Sequence, residues 1–182
     1  TTMAKVSLKS REDLSENGQQ IFDKITGTRG SALNVFRALL NSPDTASAVA
    51  DLGEYIRYNS ALDPAVRETA ILATARELGA EYEWAHHEPV AKEAGVREEV
   101  IEAIRSGKAP MGLPPKEGVF VQAAKELIRG TALSDLTHQA VEHLLGPAGT
   151  IELIVIVGYY SMLARVIASL EIELDDGVAS TW

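Results

Sequence analysis

Residues 63–95 read DPAVRETAILATARELGAEYEWAHHEPVAKEAG, and this stretch decides the fold. Asp63-Pro64 is a helix start: a carboxylate that can accept the first orphan backbone N–H groups, followed by a proline whose missing N–H costs nothing at the first helical position. The helix that begins there is predicted to end at Gly79. A second helix is predicted from about Glu81 to Ala94, with Gly95 placed for the left-handed residue that often closes a helix. The two arms form a helical hairpin. On the first arm Glu68 shares a stripe with Ile71, Leu72 and Ala75, while Arg67, Thr74 and Glu77 fall on the other side. On the second arm Glu83, His87, Val90, Ala91 and Ala94 share a stripe, and Glu81, Glu88 and Lys92 face away. Glu83 and His87, four residues apart, are neighbours on the inward side.

Outward from the hairpin, apolar residues recur every three to four positions to both ends of the chain, and alternating strand-like runs are scarce. The expected fold is therefore all-α, a bundle of roughly eight to nine helices in a single domain over residues 1–182, with residues 62–107 as its core hairpin. Helices are predicted over Leu14 to Ile25 with a stop at Gly27, and from about Ala32 to Leu40. A third starts at a capping Asp44 and ends near Tyr58. Beyond the hairpin they are predicted at Arg97 to Arg105, Lys116 to Arg129, Ser134 to Leu145 and Thr150 to about Leu170. Gly107 to Pro115, with three prolines and two glycines, reads as a loop. The run from Leu153 to Tyr160 is apolar on nearly every side and reads as a helix surrounded by others. Glu152 and Arg165 interrupt it too early for a membrane span. Ala75-Arg76-Glu77-Leu78 is echoed by Ala124-Lys125-Glu126-Leu127, too short an echo to establish a repeat.

Composition removes several function classes. A net charge of −9 is the wrong electrostatic footprint for nucleic acid. It does not forbid an anionic small substrate, which needs only a local cation such as Arg76 or Arg165. The absence of cysteine excludes disulfides, thiolate metal sites, cysteine nucleophiles and resident dithiol redox chemistry. The stretch Thr1 to Val6 has no apolar core of the signal-peptide kind, so a cytoplasmic protein without a membrane partner is the expectation.

Two carboxylates and an imidazole brought into partial burial shift one another's protonation, which is how a proton relay is tuned. The same three groups also suit a buried Glu–His pair that merely joins two helices. His86 sits on the flank beside Tyr82 and Pro89. Pro89 removes one backbone bond and is placed to kink the second arm just after the histidines. Tyr82, Trp84, Tyr159 and Tyr160 are candidates to line a pocket or to fill core, and His138 and His143 read as surface or interface residues. Glu83-x-x-His86 is half of a di-iron carboxylate pattern, but no second pair exists. Neighbouring His86 and His87 point about 100° apart on a helix, against a shared zinc. No metal is expected.

Arg67-Glu68 in a small-residue helix, followed by Glu81-Tyr82-Glu83-Trp84-x-x-His87-x-x-x-Ala91-x-x-x-Gly95, resembles the carboxymuconolactone decarboxylase family, in a branch with a Tyr-Glu-Trp-x-x-His motif. The resemblance is specific over about thirty residues and looser over Leu62 to Gly107. It implies the all-helical alkylhydroperoxidase D-like fold. It also implies a site with Glu68, Glu83 and His87 as catalytic residues and Arg76, Tyr82, Trp84 and His86 as candidates for contact with substrate. Where peroxide-reducing relatives carry their cysteine pair, this sequence has Ala80 and Glu83, which argues against peroxidase activity. The implied chemistry is cofactor-independent loss of CO₂ from a small carboxylated lactone, with His87 donating a proton and Glu83 or Glu68 orienting it. A homo-oligomer, trimer or hexamer before dimer, is also implied. The rival expectations are a non-catalytic binding or assembly protein with a repurposed pocket and, more weakly, peroxide reduction with thiols supplied by a partner.

Overall fold

The computed structural model describes residues 4–107 and 112–182, so the first three of the residues read at the start of the chain and residues 108–111 of the predicted loop lie outside the described residues. The described residues form eight α-helices, and none of them is in a strand. They are α1 (Glu16–Arg29), α2 (Asn34–Leu39), α3 (Pro43–Glu54), α4 (Pro64–Leu78), α5 (Glu81–Glu93), α6 (Glu98–Arg105), α7 (Pro115–Arg129) and α8 (Asp135–Leu170). Gly146 has φ +69° and ψ 176°, which bends α8 at Gly146-Pro147 into the two helices the sequence predicts. The chain divides into two compact units: residues 1–60 with 165–177, and residues 61–164 with 178–182.

In the first unit α3 packs against α1 and α2. Ser15 caps α1 by accepting the Gly18 N–H, and the helix closes at left-handed Gly30 rather than at the predicted Gly27. Likewise α3 begins at Pro43 after Ser42, so Asp44 lies inside its first turn and does not cap it. The helix then widens into a single π turn at Tyr55–Asn59, a local excess of one residue per turn that apolar spacing cannot reveal. Residues 170–175 are stitched to the start of the chain and to α2: Lys5 N–H donates to the Leu170 carbonyl, and Asn34 N–H donates to the Asp175 carboxylate at 2.8 Å.

The second unit is organised around α4, which packs on α5, α6 and α7. The hairpin forms for the reasons read in its sequence. Asp63 accepts the Ala65 N–H at 2.8 Å, Pro64 occupies the first turn, and Gly79 at φ +64° turns the chain in a conformation that would strain any side chain. Replacing Asp63 by alanine removes this cap, and urea unfolding is expected to show a loss of about 1 kcal/mol without a change in the far-ultraviolet spectrum of the folded protein.

The two-sided reading of α4 needs correction. Glu68 through Ala75 are all buried, Thr74 included, and the Thr74 hydroxyl donates to the Ala70 carbonyl at 2.8 Å. Short side chains (Ala70, Ala73, Ala75) let three helices approach α4 at once, so it has no solvent side along these two turns. The opposite correction applies to α8. Leu153, Ile156, Val157, Tyr159, Tyr160 and Leu163 are buried, but Ile151 (62%), Ile154, Val155 and Met162 are exposed, so this helix is not surrounded as expected. By length and apolar composition α8 also meets the requirement for a membrane-crossing helix, although nearly half of its most apolar window is buried in the protein.

Candidate functional site

Two helices of the second unit bring three ionisable side chains into the protein interior. Glu68 on α4 and Glu83 and His87 on α5 are exposed by only 1%, 4% and 6%. His87 Nδ1 lies 2.8 Å from Glu68 Oε2, joining positions nineteen residues apart across the hairpin. The other ring nitrogen, Nε2, faces Glu83 Oε2 at 3.9 Å, beyond hydrogen-bonding distance. Tyr160 from α8 closes one side of the imidazole, edge to face at 4.9 Å, and is itself edge to face with Tyr159. The sequence-predicted trio is thus brought together, with Glu68 rather than Glu83 as the partner bonded to the imidazole.

A residue that the stripe analysis placed on the far side of α4 completes this group. Arg67 turns its guanidinium back along the helix and donates from Nε to Glu68 Oε1 at 3.2 Å. Both oxygens of Glu68 are therefore occupied. Burial pushes this carboxyl up, but the charge and hydrogen bond of His87, with those of Arg67, outweigh burial and hold it below its ordinary value. An ionised Glu68 has no proton to give, so Nδ1 is the donor in the His87–Glu68 bond. The imidazole then presents Nε2 as its reactive nitrogen.

The remaining predicted site residues are placed elsewhere. Tyr82 stacks on His86 with ring centres 4.4 Å apart, and His86 Nδ1 approaches the Tyr82 carbonyl at 2.8 Å. The Arg76 guanidinium donates from Nε to the Arg105 carbonyl at 2.7 Å and lies over the Trp182 ring, so its interactions tie α4 to α6 and to residues 178–182. Trp84 is fully buried, edge to face with Trp182. Its Nε1 donates to Glu88 Oε2 at 2.9 Å. Pro89 does not break α5, which continues as α-helix to Glu93.

Glu88 contradicts its expected outward position: it is 4% exposed. Its carboxylate accepts from Trp84 and the Thr181 hydroxyl and pairs with Arg105 at 2.7 Å and Lys92 at 2.8 Å. Among the described residues no group of three histidine or carboxylate side chains is arranged to hold a metal ion.

Residues 43–126 match the carboxymuconolactone decarboxylase family. No curated protein matches the sequence significantly. Among solved structures, an uncharacterized peroxidase-related protein with an alkylhydroperoxidase AhpD core from Ralstonia eutropha JMP134 superposes with a TM-score of 0.80 at 15% identity, covering 97% of this chain and 94% of that one. A peroxidase-related protein from Silicibacter sp. TM1040 gives 0.79 at 14% identity, covering 96% and 93%. A variant of the debrominase Bmp8 in complex with 2,3,4-tribromopyrrole gives 0.76 at 16% identity, covering 94% and 91%. At these identities the superpositions establish the fold, the all-α alkylhydroperoxidase architecture. The family match lies over the hairpin that carries Glu68, Glu83 and His87, within a chain that shares the fold of these structures.

Proposed function

We propose that this protein is a cofactor-independent lyase that removes CO₂ from a small carboxylated lactone or a related acid by general acid–base catalysis. The observation that carries the reading is the buried Glu68–His87 bond of 2.8 Å, with Nε2 turned toward a second carboxylate 3.9 Å away. An ionised acid on Nδ1 fixes the orientation of the ring and leaves Nε2 as the nitrogen that exchanges a proton with substrate. When the carbon–carbon bond to the carboxylate breaks, its electron pair passes into an enolate and CO₂ leaves. Nε2 then delivers its proton to a carbon of that enolate, and solvent returns a proton to Nε2. Glu83 faces Nε2 from the far side at 3.9 Å and is placed to assist that exchange.

Thiol-based peroxide reduction has no resident electron carrier in a sequence without cysteine. The same absence separates this chain from any mechanism in which a cysteine attacks the substrate.

The test is incubation of the purified protein with γ-carboxymuconolactone and related carboxylated lactones in D₂O. Release of CO₂ is followed together with deuterium at the carbon of the enolate that takes the proton, by proton magnetic resonance. Enzyme-dependent release with deuterium at that carbon supports the reading. Rates equal to those of buffer across the panel overturn it, and saturable binding of the same compounds without turnover would identify the site as a repurposed binding pocket.

A further inference from the structure

Away from the Glu68–His87 pair, the second unit contains a pocket of about 390 Å³ whose lining includes none of Glu68, Glu83, His87 and Tyr160. Its interior is formed by Val66, Val96, Val100, Phe120 and Leu145, and Leu144, 45% exposed, forms part of its lip. Four charged side chains also line it: Asp63, Arg97, Lys116 and Glu117.

Three of these charges are already satisfied. The Asp63 carboxylate accepts the Ala65 N–H as the cap of α4. Arg97 holds Glu117 with two hydrogen bonds, Nε to Oε1 at 3.0 Å and Nη2 to Oε2 at 2.6 Å. Lys116, exposed in the first turn of α7, makes no hydrogen bond or close ion pair among the described residues, and its charge acts on the neighbouring Glu117 only at longer range. What remains is an apolar chamber with one ammonium group that makes no hydrogen bond, set at a helix start whose dipole favours negative charge.

We propose that this pocket binds a medium-chain monocarboxylate, with the hydrocarbon tail among the valines, Phe120 and Leu145 and the carboxylate on Lys116. A dicarboxylate would bring its second charge against Glu117 or Asp63, and a neutral ligand would leave the lysine unused. At roughly 30 Å³ per heavy atom the chamber holds about thirteen, enough for decanoate. The site is independent of the lyase reading.

The experiment is calorimetric titration of the full chain with decanoate, octanoate and decanol below their aggregation concentrations. Decanoate is expected to bind at one site, and octanoate about tenfold more weakly because two methylene groups fewer are buried. Decanol and decanoate against Lys116→Glu are each expected to be weakened by about two- to fivefold. Ala65→Trp, which adds bulk on the partly exposed wall of the chamber, is expected to abolish binding, whereas His87→Ala leaves it intact. No saturable binding of decanoate up to about 1 mM overturns the proposal. So does binding that decanol matches, or that neither Lys116→Glu nor Ala65→Trp disturbs. Lys116→Glu changes an exposed side chain on a helix surface, so its result stands even if the tryptophan variant fails to fold.

Discussion

His87→Ala is expected to lower turnover of a carboxylated lactone by about 10² to 10⁴, the range that a positioned general acid contributes. The expectation rests on the position of the ring. Nδ1 is tied to Glu68 and one side of the imidazole is closed by Tyr160, so Nε2 has a fixed direction that no side chain of the alanine variant can reproduce. Glu68→Gln tests the same chain of causes one step back. The glutamine keeps the shape but removes the negative charge beside Nδ1. It also allows an amide N–H to face Nδ1, which would move the ring proton to Nε2 in a neutral tautomer. A loss of about 10- to 100-fold is expected, with kcat falling more than KM rises, because Glu68 acts through His87 and not on the substrate. Steady-state kinetics of the two variants beside Glu83→Gln decide the matter. Equal rates for His87→Ala and the parent protein would reject His87 as the proton donor, whatever compound is turned over. Far-ultraviolet spectra must accompany the assays, since removing the imidazole leaves the buried Glu68 with Arg67 alone among the partners described above.

The hairpin was legible because its signals are local. Asp63-Pro64, Gly79 and Gly95 each act within a turn of where they stand, and the inward placement of Glu83 and His87 follows from a spacing of four on one helix. Glu68 was legible for the same reason, as a charged residue on the stripe of Ile71 and Leu72. What escaped was set by contacts remote in sequence or by the loss of a solvent side. Arg67 was assigned outward by geometry that presumes two faces, yet α4 is enclosed by α5, α6 and α7 and its arginine folds back onto the neighbouring acid. Glu88 was assigned outward on the same presumption, and the group that covers it includes Thr181, ninety-three residues away. No helical wheel contains that information. Arg76 was read as a substrate anchor because of its charge; the carbonyl that binds it belongs to Arg105, at the end of another helix.

Glu88→Ala is expected to destabilise the protein by about 3–5 kcal/mol, the cost of breaking a buried pair by removing one partner. The carboxylate holds together α5, α6 and residues 178–182. Trp84 Nε1 and the Thr181 hydroxyl donate to it, and Arg105 pairs with it at 2.7 Å. Lys92 closes the cluster from the solvent side, with a side chain that is 47% exposed. Arg105 would suffer most, since its Nε is already buried without a hydrogen-bond partner among the described residues. The pH dependence has a definite sign. Burial pushes the Glu88 carboxyl up, but hydrogen bonds from Lys92, Thr181 and Trp84 and the charge of Arg105 bring it down to about 2 from an ordinary value of 4.5. A carboxyl depressed on folding stabilises the native state fully above its unfolded value, and that stabilisation disappears as pH falls toward the folded one. Across the window from 4.5 to about 2 the loss is about 3 kcal/mol. Other depressed carboxyls, Glu68 and Glu117 among them, titrate in the same acid range, so the measurement must be a difference. Urea unfolding of the parent protein and of Glu88→Gln at pH 7, 4 and 3 should give two stability curves that converge as the medium becomes acid. The glutamine variant has no charge at this position to lose. Curves that stay parallel through this range would show that Glu88 is not the ionised centre of the cluster, and the cost of Glu88→Ala would then have to come from packing around Trp84.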